Sequence, residues 1–257
     1  MRRITDISEI HKIILDIAAV FHDICVRHGI PYYMLGGTML GTIRHGGFIP
    51  WDDDMDFGVP RVYYDKLVKI LKKELPKHLV CLTPLDDYGI PNEIIKISDM
   101  RTVVDEQNKE HISKKMGLFI DIFPLDFSNN NWNRWSRNWI ISTILNLNNL
   151  RYYPTNTTKG RFLHKVIKLI PKQFYLKTIK YLTAKQGEYY SNYSGAWGSR
   201  ETILYLYFGK PVLYEFDGIM LYGVQDPHQY LTCLYGNWEE LPSEDNRHFH
   251  LVNVFYI

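Results

Sequence analysis

The sequence predicts an α/β (α+β) fold in which helices flank a mixed sheet and a basic helical segment is inserted. Three observations support this fold class. Amphipathic helical repeats alternate with short strand-like runs. The 257 residues are 46% hydrophobic and 23% charged, which is typical of a globular protein with one sizeable core. One long segment carries only basic charge and interrupts the alternation.

The first predicted elements are a helix and a strand. Apolar residues recur at helical spacing over 10–25, and Asp6 with Glu9 forms a capping pair in front of them. Gly29 is the expected stop. The apolar run 30–35 is the first strand.

The remaining elements follow the same two periodicities. Apolar spacing predicts helices at 38–44, 61–75, 163–170, 174–182 and 225–234. Alternation predicts strands at 55–59, 78–82, 93–98, 102–105 and 117–123. In the last strand Asp121 lies on the face opposite Leu118, Ile120 and Ile122. A carboxylate in a strand otherwise built for burial needs an ion pair, a backbone contact or a bound ligand.

Charge divides the chain into three segments. Residues 127–187 contain eleven Lys and Arg and no Asp or Glu, although the net charge of the whole chain is only +2. We therefore predict a core at 1–126, a basic helical insertion with tryptophans at 127–187, and a segment at 188–257 that completes the core.

Two interpretations of the basic insertion stay open. Its Lys-rich helices can lie on an anionic membrane surface, or they can pack on the core with their lysines in water. Trp132, Trp135 and Trp139 favour peripheral membrane contact, because tryptophan prefers the boundary between water and lipid. Nucleic acid is not expected as a partner, since no recognisable binding motif accompanies the charge.

Composition also predicts the compartment. No run of about 18 apolar residues occurs. The basic N-terminus leads into an amphipathic segment, not into the apolar core of a signal peptide. Cys25, Cys81 and Cys233 are odd in number and widely spaced, which is typical of reduced core thiols. We expect a cytoplasmic protein, placed at the inner face of the membrane if the basic insertion docks there.

Four carboxylates fall within five residues, at Asp52, Asp53, Asp54 and Asp56. Such charge density is unfavourable unless a cation, a proton or bulk water compensates it. The apolar residues that alternate with the acids predict a strand with one buried face. Asp52, Asp54 and Asp56 would share the other face, which makes a site for a hard cation such as Mg²⁺, with Mn²⁺ as the alternative.

Two other interpretations compete for the acidic run. A solvated acidic turn in front of the next helix is disfavoured by the flanking apolar residues. A calcium loop of the EF-hand type that starts at Asp52 requires Gly at about its sixth position and Glu at about its twelfth. The chain has Phe57 and Tyr63 there, which excludes that loop.

A glycine pair precedes the acidic run. Gly36, Gly37 and Thr38 connect the first strand to a helix, where backbone N–H groups and the positive end of the helix dipole favour phosphate. Glycine also lets a ligand approach the backbone closely. The sequence therefore predicts a phosphate-binding turn beside a cation site, with Arg44 and Lys96 as candidate counter-charges.

These motifs resemble the LicD family, to which fukutin-related proteins are also similar. The similarity rests on GGT at 36–38 and RHGGFIPWDDDMD at 44–56, and it continues through 117–126, 208–211 and 234–238. It covers most of the chain outside a middle segment. The resemblance implies a nucleotidyltransferase-type fold and transfer of a phosphorylated small alcohol, typically phosphocholine, from a CDP-activated donor to a glycan.

The resemblance also supports a third acidic ligand. Nucleotidyltransferase sites commonly take a late Asp from a neighbouring strand, and Asp121 is at that place. We expect Asp54, Asp56 and Asp121 to be catalytic and to hold one or two Mg²⁺ ions, while Asp52 positions the loop. Arg247 can meet phosphate through its planar guanidinium.

The C-terminal aromatic residues suggest a further possibility. A cage for a quaternary ammonium group requires two or three rings around one cavity. The candidate rings are Tyr205, Tyr207, Phe208 and Tyr214. With nineteen tyrosines in the chain, packing explains most of them.

Three functions fit the sequence. The leading hypothesis is transfer of phosphocholine or a related alcohol phosphate to a cell-surface or lipid-linked glycan, as in lipopolysaccharide or capsule modification. The enzymatic alternative moves NMP to a sugar or protein and releases pyrophosphate. A membrane-docking or glycan-binding subunit without catalysis is the third, and the intact acidic set argues against it.

Overall fold

The computed structural model describes residues 1–86, 88–90, 92–106, 114–128, 132–152, 157–183, 185–243 and 251–257. The helices are α1 (Ile7–Arg27), α2 (Gly36–His45), α3 (Arg61–Glu74), α4 (Trp132–Asn149), α5 (Thr158–Leu169), α6 (Lys172–Leu182), α7 (Tyr205–Phe208) and α8 (Pro227–Tyr235). The strands are β1 (Arg2–Ile4), β2 (Tyr33–Met34), β3 (Asp56–Pro60), β4 (Leu79–Leu82), β5 (Ile95–Asp99), β6 (Thr102–Glu106), β7 (Leu118–Ser128), β8 (Tyr189–Ser191), β9 (Thr202–Leu204), β10 (Val212–Phe216), β11 (Ile219–Gly223) and β12 (Leu251–Tyr256).

A mixed sheet forms the centre of the fold. Its strands run in the order β2-β3-β7-β5-β4, and β8 and β9 extend the far half of β7. β3 and β7 are parallel, whereas β7 is antiparallel to β5 and to β8. Helices flank the sheet, so the predicted α/β fold class is confirmed. Two smaller antiparallel units, β1-β12-β6 and the β10-β11 hairpin, complete the described part of the chain.

Helix α1 supplies much of the core and agrees with its prediction. The Asp6 side chain caps it by accepting a hydrogen bond from the backbone N–H of Ser8 at 2.9 Å. Gly29 follows the last turn with φ of +59°, a conformation that glycine adopts without strain. The buried stripe, which packs against β5 and β7, consists of Ile13, Ile14, Ile17, Ala18, Phe21, Ile24 and Cys25.

The acidic run differs from its prediction. Strand β3 begins only at Asp56, so residues 52–55 form a loop, and the expected alternation of Asp52, Asp54 and Asp56 on one strand face is wrong. The backbone N–H of Asp52 donates a hydrogen bond to the carbonyl of Ile49 at 2.9 Å. The backbone N–H of Asp56 is held at 2.8 Å by the hydroxyl of Thr38. One local turn and one contact that is distant in sequence therefore shape the loop.

The basic insertion packs as three helices with a small core of its own. This core consists of Ile141, Leu145, Tyr175 and Ile179. The insertion is joined to the central fold by an ion pair between Lys180 and Asp65 of α3 and by the Tyr175 hydroxyl, 3.5 Å from the Asn92 side chain. β7 continues to Ser128, two residues past the predicted boundary at 126. The division into three segments stays a prediction.

The structure tests the prediction of reduced core thiols and the prediction that no helix spans a membrane. Cys25 and Cys81 are buried thiols, as predicted, whereas Cys233 is exposed on α8 and is not a core residue. Burial raises the pKa of the Cys81 thiol to about 12. Among the described residues, every helix is too short or too polar to cross a bilayer.

Candidate active site

Two neighbouring strands bring the acidic groups together. Asp56 begins β3 and is paired in register with Asp121 on the parallel strand β7. The backbone N–H of Asp121 donates to the carbonyl of Met55 at 2.9 Å, which fixes the loop to the second strand. The alternation in β7 is as predicted, since Leu118, Ile120 and Ile122 are fully buried on the opposite face from Asp121.

Electrostatics show that the acids act on one another. Burial raises the pKa of Asp56 well above its usual range, and the charges of Asp54, Asp121, Asp52 and Glu201 raise it further. Each added negative charge near a buried carboxyl favours its protonated form. A bound cation near Asp56 would favour the ionised form of this carboxyl and so offset the effect of its acidic neighbours.

The glycine pair lies at the start of α2, directly against these acids. A Cβ on Gly36 would be 3.4 Å from Oδ2 of Asp56, and one on Gly37 would be only 2.6 Å from Oδ2 of Asp52. Gly36 also has φ of +49°. Glycine therefore lets the carboxylates approach the positive end of the α2 dipole, which stabilises negative charge. The predicted role of Gly36, Gly37 and Thr38 in holding phosphate stays a prediction.

The acidic loop is fixed by partners far away in sequence. Nε2 of His11 lies 2.6 Å from the carbonyl oxygen of Asp52, and the His11 ring stacks on Phe48 at 4.0 Å. The backbone N–H of Phe48 donates to Oδ2 of Asp217 at 3.0 Å. Asp217 stands at the turn of the β10-β11 hairpin and leaves no room for a side chain at Gly47. Glycine at position 47 is needed for this close approach.

Lys96 lies beside Asp121 on β5. Its ammonium is 2.6 Å from Oδ1 of Asp121 and 3.4 Å from the centre of the Phe119 ring. The side chain is buried. Lys96 was predicted as a counter-charge to phosphate, and in the structure its charge is directed to Asp121 and to the aromatic face. Lys96 therefore balances the charge of the Asp121 carboxylate.

The two predicted arginines have different outcomes. Arg44 stands in the last turn of α2 and donates through one guanidinium nitrogen to the backbone carbonyls of Trp238 and Glu240, at 3.0 and 3.4 Å. It thereby ties α2 to the segment after α8. Burial lowers the pKa of Arg44. Arg247 lies outside the described residues.

Four residues near the site were not singled out from the sequence. The Tyr230 hydroxyl accepts a hydrogen bond from the backbone N–H of Gly36 at 3.0 Å. The Tyr235 hydroxyl lies 3.6 Å from the Cβ position of Gly36. Its pKa is raised by burial and by the charges of Asp56 and Glu201. The ring of Trp197 stands almost perpendicular to the Tyr235 ring, at 5.2 Å.

The aromatic residues proposed for a cage pack elsewhere. Tyr205 contacts Phe127 and Tyr190, and Phe208 is buried against Tyr33. The Tyr214 hydroxyl donates to the carbonyl of Val224. The ring pair beside the acids is instead Trp197 with Tyr235, and Trp197 is 47% exposed.

Glu201 allows a prediction about pH. Burial raises the pKa of Glu201 to about 7, although hydrogen bonds from the Trp197 backbone and the Asn192 side chain lower it. The folded state therefore binds more protons than the unfolded state between about pH 4.5 and 7. We expect the free energy of unfolding to fall by about 3 kcal/mol as pH rises through that window. Chemical denaturation at several pH values measures this.

The Glu201→Gln variant tests the assignment. It should flatten the decline in the free energy of unfolding, while Glu188→Gln, at an exposed position, should leave it as in the unmodified protein. An identical pH slope in Glu201→Gln and the unmodified protein would show that another group is responsible. The pKa of the Asp56 carboxyl is also raised, so this group contributes to the same decline in the free energy of unfolding.

The donor set can be tested for its fit to a divalent ion. In the part of the chain that the structure describes, no three His, Cys, Asp or Glu side chains form a ready-made metal cluster. Mg²⁺ does not require one, because it usually keeps several waters and binds through one or two carboxylates plus substrate phosphates. The hard oxygen donors and the raised pKa of Asp56 fit such an ion.

Comparison with known proteins agrees with the geometry. The family described as LicD/FKTN/FKRP, nucleotidyltransferase domain, matches residues 29–159, which include α2, the acidic loop, β3 and Asp121. The chain is 29% identical to the lipopolysaccharide cholinephosphotransferase LicD of Haemophilus influenzae, with both chains covered over their full length. It is also 52% identical over 31 residues to the human ribitol 5-phosphate transferase FKRP, which is 12% of this chain and 6% of that one. This chain is a member of the LicD/FKTN/FKRP family.

Proposed function

We propose that this protein transfers a phosphorylated small alcohol, with phosphocholine as the preferred one, from a CDP-activated donor to a hydroxyl group of a cell-surface glycan. The observation that carries the proposal is the convergence of Asp54, Asp56 and Asp121 from a loop and two parallel strands beside the start of α2. The full-length similarity to a lipopolysaccharide cholinephosphotransferase supports the choice of phosphocholine.

The chemistry is a displacement at phosphorus. The acceptor hydroxyl oxygen forms a bond to the phosphorus atom that carries the alcohol, and the bond from that phosphorus to the CMP oxygen breaks. The hydroxyl proton passes to a carboxylate within hydrogen-bond reach, and CMP leaves with the electron pair. Asp54, Asp56 and Asp121 would hold Mg²⁺, which when bound neutralises the negative charge of the donor phosphates.

The surrounding residues position these carboxylates. Thr38 fixes the backbone of Asp56, His11 fixes that of Asp52, and Lys96 orients Asp121 through its buried ion pair. Holding the acids in place before the donor arrives lowers the reorganisation that the reaction requires.

Two aromatic rings near the acids support choline as the transferred alcohol. A quaternary ammonium binds to aromatic faces, and the attraction strengthens where negative charge is close. Trp197 and Tyr235 present perpendicular rings, and Tyr235 lies within the field of Asp56, Glu201, Asp52 and Asp54. This arrangement supports choline over ribitol or glycerol, which carry no charge.

The Trp197→Ala variant tests this assignment. We expect its KM for CDP-choline to rise roughly tenfold, since a partly desolvated contact between a cation and an aromatic ring is worth ~1–2 kcal/mol. The KM for CDP-ribitol or CDP-glycerol should change little. Steady-state kinetics with each donor measure this, and Trp139→Ala, an exposed tryptophan on α4, is the control. Equal effects on CDP-choline and on the donors with an uncharged alcohol would contradict a choline-specific role.

One product assay tests the function itself. Purified protein is incubated with a panel of CDP-linked alcohols, Mg²⁺ and a lipopolysaccharide or capsular glycan acceptor. We expect CMP and a phosphorylated glycan, with CDP-choline the fastest donor. Release of pyrophosphate from CTP with labelling of the acceptor by CMP would instead support a true nucleotidyltransferase, which the family description makes the main alternative. Absence of both products would favour a non-catalytic subunit.

A further inference from the structure

Helix α5 carries an apolar stripe that the protein core does not use. Phe162, Val166 and Leu169 are spaced by four and three residues, so they share one face of the helix. Phe162 is 70% exposed and Leu169 82% exposed. Ile167, which lies on the other side of α5, is the buried residue of this helix. The stripe therefore faces away from the packing that holds α5 to its neighbours.

The stripe continues into the start of α6. Ile170 and Phe174 follow Leu169, and Phe174 is 65% exposed. Ile170 and Phe174 also line a cleft of about 230 Å³ between α4, α5 and α6, which the buried Ile167 lines as well. We define Phe162, Val166, Leu169, Ile170 and Phe174 as the outer apolar face. Large apolar side chains that are exposed on one helical segment are typical of an interaction site.

Basic residues flank the outer apolar face. Arg161, Lys165 and Lys168 are exposed on α5 next to the stripe. The whole basic insertion contains no acidic residue, so no ion pair between its own side chains offsets its positive charge. Among the ion pairs in the described residues, Lys180 with Asp65 joins the insertion to the central fold. The surface therefore combines apolar groups with an excess of positive charge.

We propose that the outer apolar face and its basic flank dock the protein on an anionic lipid bilayer. Helices with this pattern lie in the plane of the interface, with apolar residues among the acyl chains and Lys or Arg at the anionic headgroups. Charge complementarity selects this occupant over a second copy of the chain, because two such faces would bring two strongly basic surfaces together. Docking goes beyond the proposed transfer reaction and is independent of it.

Vesicle co-sedimentation of the full chain tests the proposal. The probes are vesicles of phosphatidylcholine alone and of phosphatidylcholine mixed with phosphatidylglycerol. We expect the protein to sediment with the anionic vesicles, and the binding to weaken at least tenfold on neutral vesicles or at high salt, because headgroup attraction is screened within a Debye length of about 10 Å at 0.1 M salt. Equal binding to both vesicles, or binding to neither, would overturn the proposal.

Matched variants locate the surface. Phe162→Ser combined with Phe174→Ser should weaken binding to anionic vesicles at least tenfold. The control, Val62→Ser combined with Leu206→Ser, removes two equally exposed apolar residues outside the insertion and should bind as the unmodified protein does. Far-ultraviolet circular dichroism confirms that both proteins are folded. Equal binding by the two variants would contradict the assignment. Sedimentation velocity completes the test by measuring whether the protein forms a dimer. If the unmodified protein and the control variant are dimers and the variant with both Phe162→Ser and Phe174→Ser is a monomer, the face binds a second copy of the chain and the lipid proposal is overturned.

Discussion

The Asp56→Asn variant is expected to lose transferase activity by roughly 10³-fold or more, equivalent to about 4 kcal/mol of transition-state stabilisation. Asn has nearly the same shape as Asp but removes one negative oxygen donor from the centre that β3 and β7 share. Asp54→Asn should have a similar effect. Initial rates of CMP release from CDP-choline in the presence of Mg²⁺ measure the loss.

A measurement of thermal stability shows whether Asp56→Asn loses activity without unfolding. The pKa of Asp56 is raised by burial and by the charges of Asp54, Asp121 and Asp52, so the ionised carboxylate is repelled in the folded state. Removing that charge should raise the melting temperature without Mg²⁺, because the folded protein no longer contains the repulsion. Asp23→Asn, on the exposed surface of α1, is the control and should keep full activity. Full activity in Asp56→Asn would contradict the site assignment.

The largest expected loss of stability follows Arg61→Met. Arg61 begins α3 and binds both oxygens of Asp126 at 2.7 Å and one oxygen of Glu93 at 2.5 Å. All three side chains are mostly buried. Removing the cation leaves two buried carboxylates without compensation, so we expect the free energy of unfolding to fall by about 3–5 kcal/mol. Urea denaturation at neutral pH measures the change.

Two further variants control the Arg61 experiment. Arg27→Met breaks an exposed pair with Asp23 and Glu74 and should cost about 1 kcal/mol or less. Combining Arg61→Met with Asp126→Asn should recover part of the loss, because one of the uncompensated charges is removed. A loss below about 1 kcal/mol in Arg61→Met would show that the buried triad does not stabilise the fold in this way.

The elements that strong local patterns specify could be predicted from the sequence. α1 has a continuous apolar stripe and an Asp6 cap, and α3 begins directly after Pro60, so local chemistry determines both. Alternation in β7 placed Asp121 opposite the buried Leu118 and Ile122. α4 could not be predicted, since its apolar residues are interrupted by asparagines and form no clear stripe.

The conformation of the acidic loop could not be predicted, because distant residues determine it. His11 on α1 contacts the carbonyl of Asp52 in the loop, and Thr38 on α2 holds the N–H of Asp56 directly after it. Asp217 in the β10-β11 turn holds the N–H of Phe48 ahead of the loop. No local pattern at Asp52 or Asp54 reveals these contacts. The alternating pattern predicts a strand over the whole acidic run, but the strand begins only at Asp56.

The aromatic and acidic residues from the C-terminal segment could not be predicted as site residues for a similar reason. Glu201, Trp197 and Tyr235 follow the acidic loop by more than a hundred residues. Trp197 and Glu201 lie between β8 and β9, which extend the sheet from β7, whereas Tyr235 lies on α8, which packs against α2. Trp197 and Glu201 lie in a short polar turn that shows no periodicity. The motif around Tyr235 belongs to the sequence resemblance, but nothing in it shows that the ring points toward Gly36.

The most direct measurement is Mn²⁺ binding in the presence of CDP-choline, followed by electron paramagnetic resonance of the free ion. We expect the unmodified protein to bind Mn²⁺ and to release it when excess Mg²⁺ is added, and Asp56→Asn and Asp121→Asn each to weaken binding at least tenfold, because each removes a carboxylate from the shared centre. Asp23→Asn should bind as the unmodified protein does. Unchanged Mn²⁺ binding in both Asp56→Asn and Asp121→Asn would contradict the claim that β3 and β7 together hold the ion.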